Sequence, residues 1–290
     1  MQAANRKILR LAVASLGAVA LLAPACGKRA AAPTEVVAVH ATSLPIDPAD
    51  VAWRAAPAYT AALVLQDLVE PRLLQPSTPS MRVQALTDGT RIAFRLTWTD
   101  STQNDLPGAA RFTDACAVQF PAVTGPNLPA PQMGELNGRV EITYWTASWQ
   151  AEVNGRGDSI QALYPNASVD HYPFDAASLA KGSQDQVEME KRYAPAHAVE
   201  HPTHPPGQPV QDLIAEGPGT LTPAPTTRSD GRGVRVKTTW EVVIVRTLPE
   251  AWHGAARSQV AFAVWDGAKH EVGARKMRSV WIPLSLGVHS

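Results

Sequence analysis

FTDACAVQFP (residues 112–121) and VEITYWTASWQAEV (residues 140–153) both read as β-strands. Residues 115–120 alternate small or apolar side chains with others. Residues 140–149 are rich in β-branched and aromatic side chains at period-two spacing. That spacing puts Val140, Ile142, Tyr144, Thr146 and Ser148 on one face and Glu141, Thr143, Trp145, Ala147 and Trp149 on the other. The bridge between the two strands runs through PNLPAPQMGELNG, where prolines and glycines exclude regular structure. Met133 therefore falls on a tight loop, beside a glycine that lets backbone approach closely. A loop methionine commonly fills a gap, but its thioether is also one of the few side chains able to bind haem iron axially.

Working outward, turn signals recur at short intervals. Asp88-Gly89 predicts a hairpin leading into a strand over 90–97, with Ile92, Phe94 and Leu96 alternating. Residues 59–65, 81–86, 234–245, 260–265 and 278–286 are further strand candidates. No βαβ rhythm appears. The expectation is an all-β fold, an antiparallel β-sandwich with long loops and few short helices.

The 290 residues suffice for one large β domain or two small ones. Lys and Arg number 26 and so do Asp and Glu, so nothing suggests a nucleic-acid footprint. Twenty-five prolines argue for turns over long helices, and eight tryptophans outnumber the five tyrosines and the five phenylalanines. Such flat indoles suit a sandwich core and equally the walls around a flat cofactor.

The first 25 residues read as a signal peptide: Arg6, Lys7 and Arg10, an apolar run over 11–22, then Ala23-Pro24-Ala25. Cys26 follows. LLAPACG resembles a lipobox with its leucine displaced by one, so the segment fits lipidation of Cys26 and fits simple cleavage after Ala25 equally. Residues 26–40 read as an Ala/Pro-rich linker and 41–290 as the domain, with an aperiodic excursion over 154–209. Cys116, inside a strand, reads as a buried inert thiol. No C-x-x-C-H occurs, which excludes covalent c-type haem, and no cysteine cluster could hold iron–sulfur.

Taken in order, FTDACAVQFP, the loop ending in MG and the VEITYW strand resemble the haem b (gamma) subunits of the ethylbenzene dehydrogenase and dimethyl sulfide dehydrogenase family. These belong to periplasmic type II DMSO-reductase-family molybdoenzymes. The resemblance extends to IAFRLTWTD (92–100), PVQDLIAEGPGTLT (209–222) and VAFAVWDGAKHEVGARKMRSVWIPLSL (260–286), so it covers most of the chain after about residue 45. It implies one non-covalent haem b, with Met133 and Lys276 as the axial iron ligands. The haem would be set edge-on into one end of the sandwich, with Trp and Val walls. It further implies a periplasmic electron relay rather than an enzyme. The partners would be a molybdopterin catalytic subunit, an iron–sulfur subunit, and a soluble cytochrome or quinone-linked carrier. Contact with a membrane would come only through a lipid on Cys26.

Other residues compete for these roles. Lys276 in GARKMRSVW also fits a solvated turn lysine, and a lysine ligand must first lose its proton. Lys269 and His270 are the nearest rivals, His270 being chemically the easier ligand. His197, His201 and His204 have the density of a zinc site, but intervening prolines prevent a helix from aligning them, which favours a solvated loop. GRGD (155–158) reads as a turn. Asp114 could anchor the Met133 loop or simply end a strand. No Ser/His/Asp order, paired-carboxylate spacing or phosphate-cradling loop stands out. The alternative from another class is a carbohydrate- or ligand-binding sandwich lipoprotein, which needs exposed, coplanar aromatics and no iron.

Overall fold

The structure, a computed structural model, describes residues 33–157, 160–166, 183–185, 188 and 207–287. The signal-peptide reading, Cys26, the His197/His201/His204 loop and most of the 154–209 excursion lie outside the described residues.

The described residues are mostly β, with two short α-helices and three 3-10 turns. The strands are β1 (Val36–His40), β2 (Tyr59–Ala62), β3 (Val64–Leu65), β4 (Ser80–Thr87), β5 (Arg91–Thr99), β6 (Ala115–Pro121) and β7 (Val140–Thr146). They continue as β8 (Val210–Ala215), β9 (Thr222–Pro223), β10 (Asp230–Val236), β11 (Thr239–Thr247), β12 (Arg257–Trp265), β13 (Met277–Arg278) and β14 (Ile282–Ser285). The hydrogen-bonded order β10-β11-β5-β4-β1-β14-β12-β6-β7-β8-β9 curls one sheet into two facing layers. Rings from the two halves meet in between: Phe94 of β5 lies 5.8 Å from Phe120 of β6 and 5.7 Å from Phe262 of β12. Trp240 of β11 lies edge-on, 5.2 Å from Trp145 of β7. The expected all-β sandwich is what forms.

Three local expectations are corrected. Residues 36–40, read as linker, form β1, which pairs in parallel with β4 on one side and β14 on the other and so joins the layers. The sandwich is antiparallel except at this strand. Residues 140–149 are not one strand: β7 stops at Thr146, whose hydroxyl accepts from Ser148 N and caps helix α1 (Ala147–Val153). Residues 234–245 are two strands, because the chain reverses at Lys237, which takes φ +55°. Neither Lys237 nor Thr238 is a usual turn residue, so nothing in the pattern marked it. Asp88-Gly89, by contrast, turns as expected, with Asp88 Oδ1 accepting from Thr90 N and Arg91 N.

Glycine at 233 is a packing requirement. A Cβ there would overlap the Trp145 ring, which lies against β10 from the opposite layer. Gln150 Oε1 then accepts from both Gly233 N (2.7 Å) and Trp145 Nε1 (3.3 Å). Gly233→Ala is expected to destabilise by about 1–3 kcal/mol through overpacking. Denaturant unfolding checks this, and an unchanged midpoint would show that the layers can separate without cost.

Candidate functional site: a cavity on the outer face of one sheet

Period-two alternation gives β6, β7, β8 and β12 two buried faces of different character. Cys116, Val118, Phe120, Trp145, Val210, Phe262 and Val264 enter the central core. Ala115, Ala117, Val140, Ile142, Leu213, Ala263 and Trp265 point the other way. On that outer face the alanines leave room, and a cavity of about 760 Å³ opens above them. Segments around residues 66–71, 108–113, 131–133, 218–221 and 271–279 wall and roof it. This is within the usual size of a small-molecule or cofactor site. The family resemblance implied a haem set edge-on into one end of the sandwich, with Trp and Val walls. The cavity has a sheet face as its floor, with Trp265, Val69 and Val272 among its walls.

Met133 reaches the cavity from the Pro-rich loop. Its backbone takes φ +69°, a conformation that L-residues other than glycine seldom adopt and that persists only where surroundings impose it. Here they do. Gln119 Nε2 donates to Pro131 O (3.0 Å), Trp281 Nε1 to Pro129 O (2.7 Å) and Gly217 N to Met133 O (2.9 Å). Gly134 must be glycine, since it has φ +80° and a Cβ would strike the Gly138 carbonyl.

Lys276 arrives from the opposite wall, just before β13. Its backbone carbonyl accepts from Gln66 N (3.0 Å), and Gln66 Nε2 donates to Ala274 O (3.1 Å), fixing this edge to the 66–69 turn. Lys276 Nζ lies 3.6 Å from Met133 Sδ, as a donor to the sulfur, and 5.0 Å from the Trp265 ring centroid. Burial, helped by the nearby positive charge of Arg278, pulls the amine down to about 8. The structure thus brings together two side chains 143 positions apart in sequence, a thioether and an amine that gives up its proton readily. Lys269 and His270 are exposed and line no part of the cavity; His270 packs on Phe112 at 5.3 Å.

Asp114 does not anchor the Met133 loop. Fully buried, it accepts from Asn104 N (2.8 Å), Gly267 N (3.0 Å) and Trp240 Nε1 (3.0 Å), tying the loop before β6 to the turn after β12. Burial outweighs those donors and, with the charge of Asp100, raises Asp114 to about 7. Asp100, Asp114 and Asp266 hold carboxylate oxygens within 4.8 Å of one another, and none of the three lines the cavity. In the GRGD stretch, Gly155 and Gly157 both take positive φ, as a turn requires, and Arg156 bonds the carbonyls of Asp105 and Ser148. Cys116 is buried in the central core, which pushes its thiol well up.

Sequence reasoning missed the floor. The A-x-A pairs Ala115/Ala117 and Ala261/Ala263 were visible as small residues at period two. Only the pairing of β6 with β12, which sets Ala117 opposite Ala263, turns them into one open patch. Arg278, beside Lys276 on the cavity wall, was also passed over.

The family model described as Ethylbenzene dehydrogenase matches residues 50–277. The chain belongs to that family. It is 26% identical over 264 residues to a Haloferax mediterranei protein described as a respiratory nitrate reductase heme subunit, with 87% of this chain and 72% of that protein covered. It is 25% identical over 202 residues to chlorate reductase subunit gamma of Ideonella dechloratans, covering 67% of this chain and 59% of that protein. Among solved structures, a family 9 carbohydrate-binding module from Caldicellulosiruptor kristjanssonii aligns in its glucose and cellotriose complexes. Identities are 8% and 9%, TM-scores 0.36 and 0.37, with 88% of this chain and 96% and 94% of those chains covered. At those scores the likeness bears on neither fold nor ligand. Among the described residues the tryptophans and tyrosines are buried or, at Tyr59, Tyr144, Tyr164 and Trp281, half-buried.

Glu271, on the cavity wall, is 1% exposed; its carboxylate accepts from Asp266 N, and the Ser77 hydroxyl lies beside it. Burial first, and the charges of Asp266 and Asp100 after it, raise it to about 6 from 4.5. The folded chain then holds this proton more tightly than the unfolded one, so stability falls as pH rises from about 4.5 through 6. Glu271→Gln should therefore be more stable than the parent at pH 8 by about 2 kcal/mol, the difference vanishing near pH 4.5. Denaturant unfolding at the two pH values measures it.

Proposed function

We propose that the cavity holds one haem b, with Met133 and Lys276 as its axial iron ligands, and that the chain is an electron-transfer subunit of an exported molybdenum oxidoreductase complex. The observation that carries this reading is the meeting of a thioether and a low-pKa amine, 3.6 Å apart, inside an apolar cavity floored by alanines. The family match supports it, as do the relatives described as a nitrate reductase heme subunit and a chlorate reductase gamma subunit.

The residues suit the task. A flat macrocycle needs an apolar slot, which Ala117, Ala263, Ile142 and Leu213 supply from the sheet. Met133, its loop pinned at three carbonyls, can present sulfur with little reorganisation. Lys276 can present a lone pair because burial and Arg278 disfavour its protonated form. A bound haem supplies one-electron chemistry; the protein orients it, excludes water and sets its potential through ligand type and burial. The subunit catalyses nothing itself. It relays electrons between a molybdopterin subunit with its iron–sulfur partner and a soluble cytochrome or quinone-linked carrier. The leader over 1–25 directs it to the periplasm, and Cys26 offers a lipid anchor.

Reduced, purified protein should show a Soret band with sharp α and β bands, and a pyridine haemochrome of b type. Met133→Ala and Lys276→Ala should each leave the fold intact but give weakly held, five-coordinate or high-spin haem. Unchanged six-coordinate spectra and potential in both variants would overturn the ligand assignment. Loss of haem in His270→Ala instead would move it to that residue.

A further inference from the structure

Period-two geometry at β13 sends Lys276 and Arg278 to one side and Met277 to the other. Met277 is buried in the central core, while both basic residues line the cavity. Arg278 sits directly across the ladder from Ala263, on the floor. It is 8% exposed, its Nε is buried without a partner, and its best contact is a 3.5 Å approach of one terminal nitrogen to the Ser279 carbonyl. That distance is at the outer limit of hydrogen bonding.

The other buried arginine among the described residues is compensated. Arg246, 5% exposed, pairs with Glu141 at 2.8 Å, and Arg95 pairs with Glu241 at 2.8 Å. Arg278 forms no ion pair with a described residue: the charge it feels, from Asp67, belongs to an exposed side chain. Glu271 and Glu70, the acidic residues that share the cavity, are engaged elsewhere, by Asp266 N and by Arg72. A buried, unpaired guanidinium is costly unless an anion meets it. Its planar fork matches a carboxylate bidentately, where an ammonium would offer only a point charge.

We propose that Arg278 is the anion-binding residue of this cavity and pairs with a carboxylate carried at the edge of its flat ligand. Resting on the haem b reading, that carboxylate is a haem propionate. Arg278 then sets the orientation of the ring in its slot, while the neighbouring Lys276 supplies the axial nitrogen.

The test titrates haem-free full-length protein with ferric protoporphyrin IX and with its dimethyl ester, in the same detergent, following the Soret band. The parent should bind the diacid about tenfold to about a hundredfold more tightly than the diester, as expected for a buried charge-assisted pair. Arg278→Gln should erase most of that preference by weakening diacid binding and leaving diester binding nearly unchanged. Arg278→Lys should keep an intermediate preference. Circular dichroism checks the fold of each variant, and Arg278→Met replaces the glutamine variant should that one not fold. Equal binding of diacid and diester by the parent, or a folded Arg278→Gln that keeps the full preference, overturns the role of Arg278 and leaves the haem reading standing. Failure of the parent to take up either porphyrin overturns both.

Discussion

The site depends on a difference in side-chain size between the two faces of a single sheet. β6 and β12 carry Val118, Phe120, Phe262 and Val264 inward and Ala115, Ala117, Ala261 and Ala263 outward. The inward set fills the space between the layers, where Phe120 and Phe262 meet Phe94 of the facing layer. The outward set cannot fill the space above it, and loops roof that space instead of packing into it. One strand alternation thus provides both the core that stabilises the fold and the cavity on its outer face.

The roof is held by directional bonds. Side-chain amides and indoles reach backbone carbonyls where loops pass: Gln119 to Pro131, Trp281 to Pro129, Trp265 to Gly273 and Gln66 to Ala274. The loop's prolines lack N–H groups, and the Pro129 and Pro131 carbonyls are satisfied by side chains from outside the loop. The backbone of Met133 can therefore be kept at positive φ, with its sulfur aimed at Lys276. The tryptophans serve the same ends: most are buried, and the ring nitrogens of Trp53, Trp145, Trp240, Trp252, Trp265 and Trp281 bond backbone carbonyls or buried side chains, while that of Trp98 is buried without a partner.

Charge placement follows the same division. The carboxylates of Asp100, Asp114, Asp266 and Glu271 gather around the turn after β12, where burial favours their protonated forms at 114, 266 and 271. On the cavity side, Lys276 and Arg278 lie together, and burial disfavours the charged form of both. A positive charge beside the Lys276 amine makes its protonated form less favourable.

Sequence alone determined the all-β class, because alternation and turn signals are local and leave no room for βαβ units. It also singled out Met133 and Lys276, the first through its loop chemistry and both through the family resemblance. It missed the turn at Lys237 and the cap at Thr146, where tertiary contacts select conformations that the local residues only tolerate. It read β1 as linker because a strand held between two parallel neighbours needs no hairpin signal beside it. Tertiary structure alone decided that Lys276, and neither Lys269 nor His270, faces the methionine: strand register at β13 sets that direction, and register arises from pairing with β12 and β3. It alone decided where the cavity lies, since an alanine makes space only when the alanine of the next strand stands beside it.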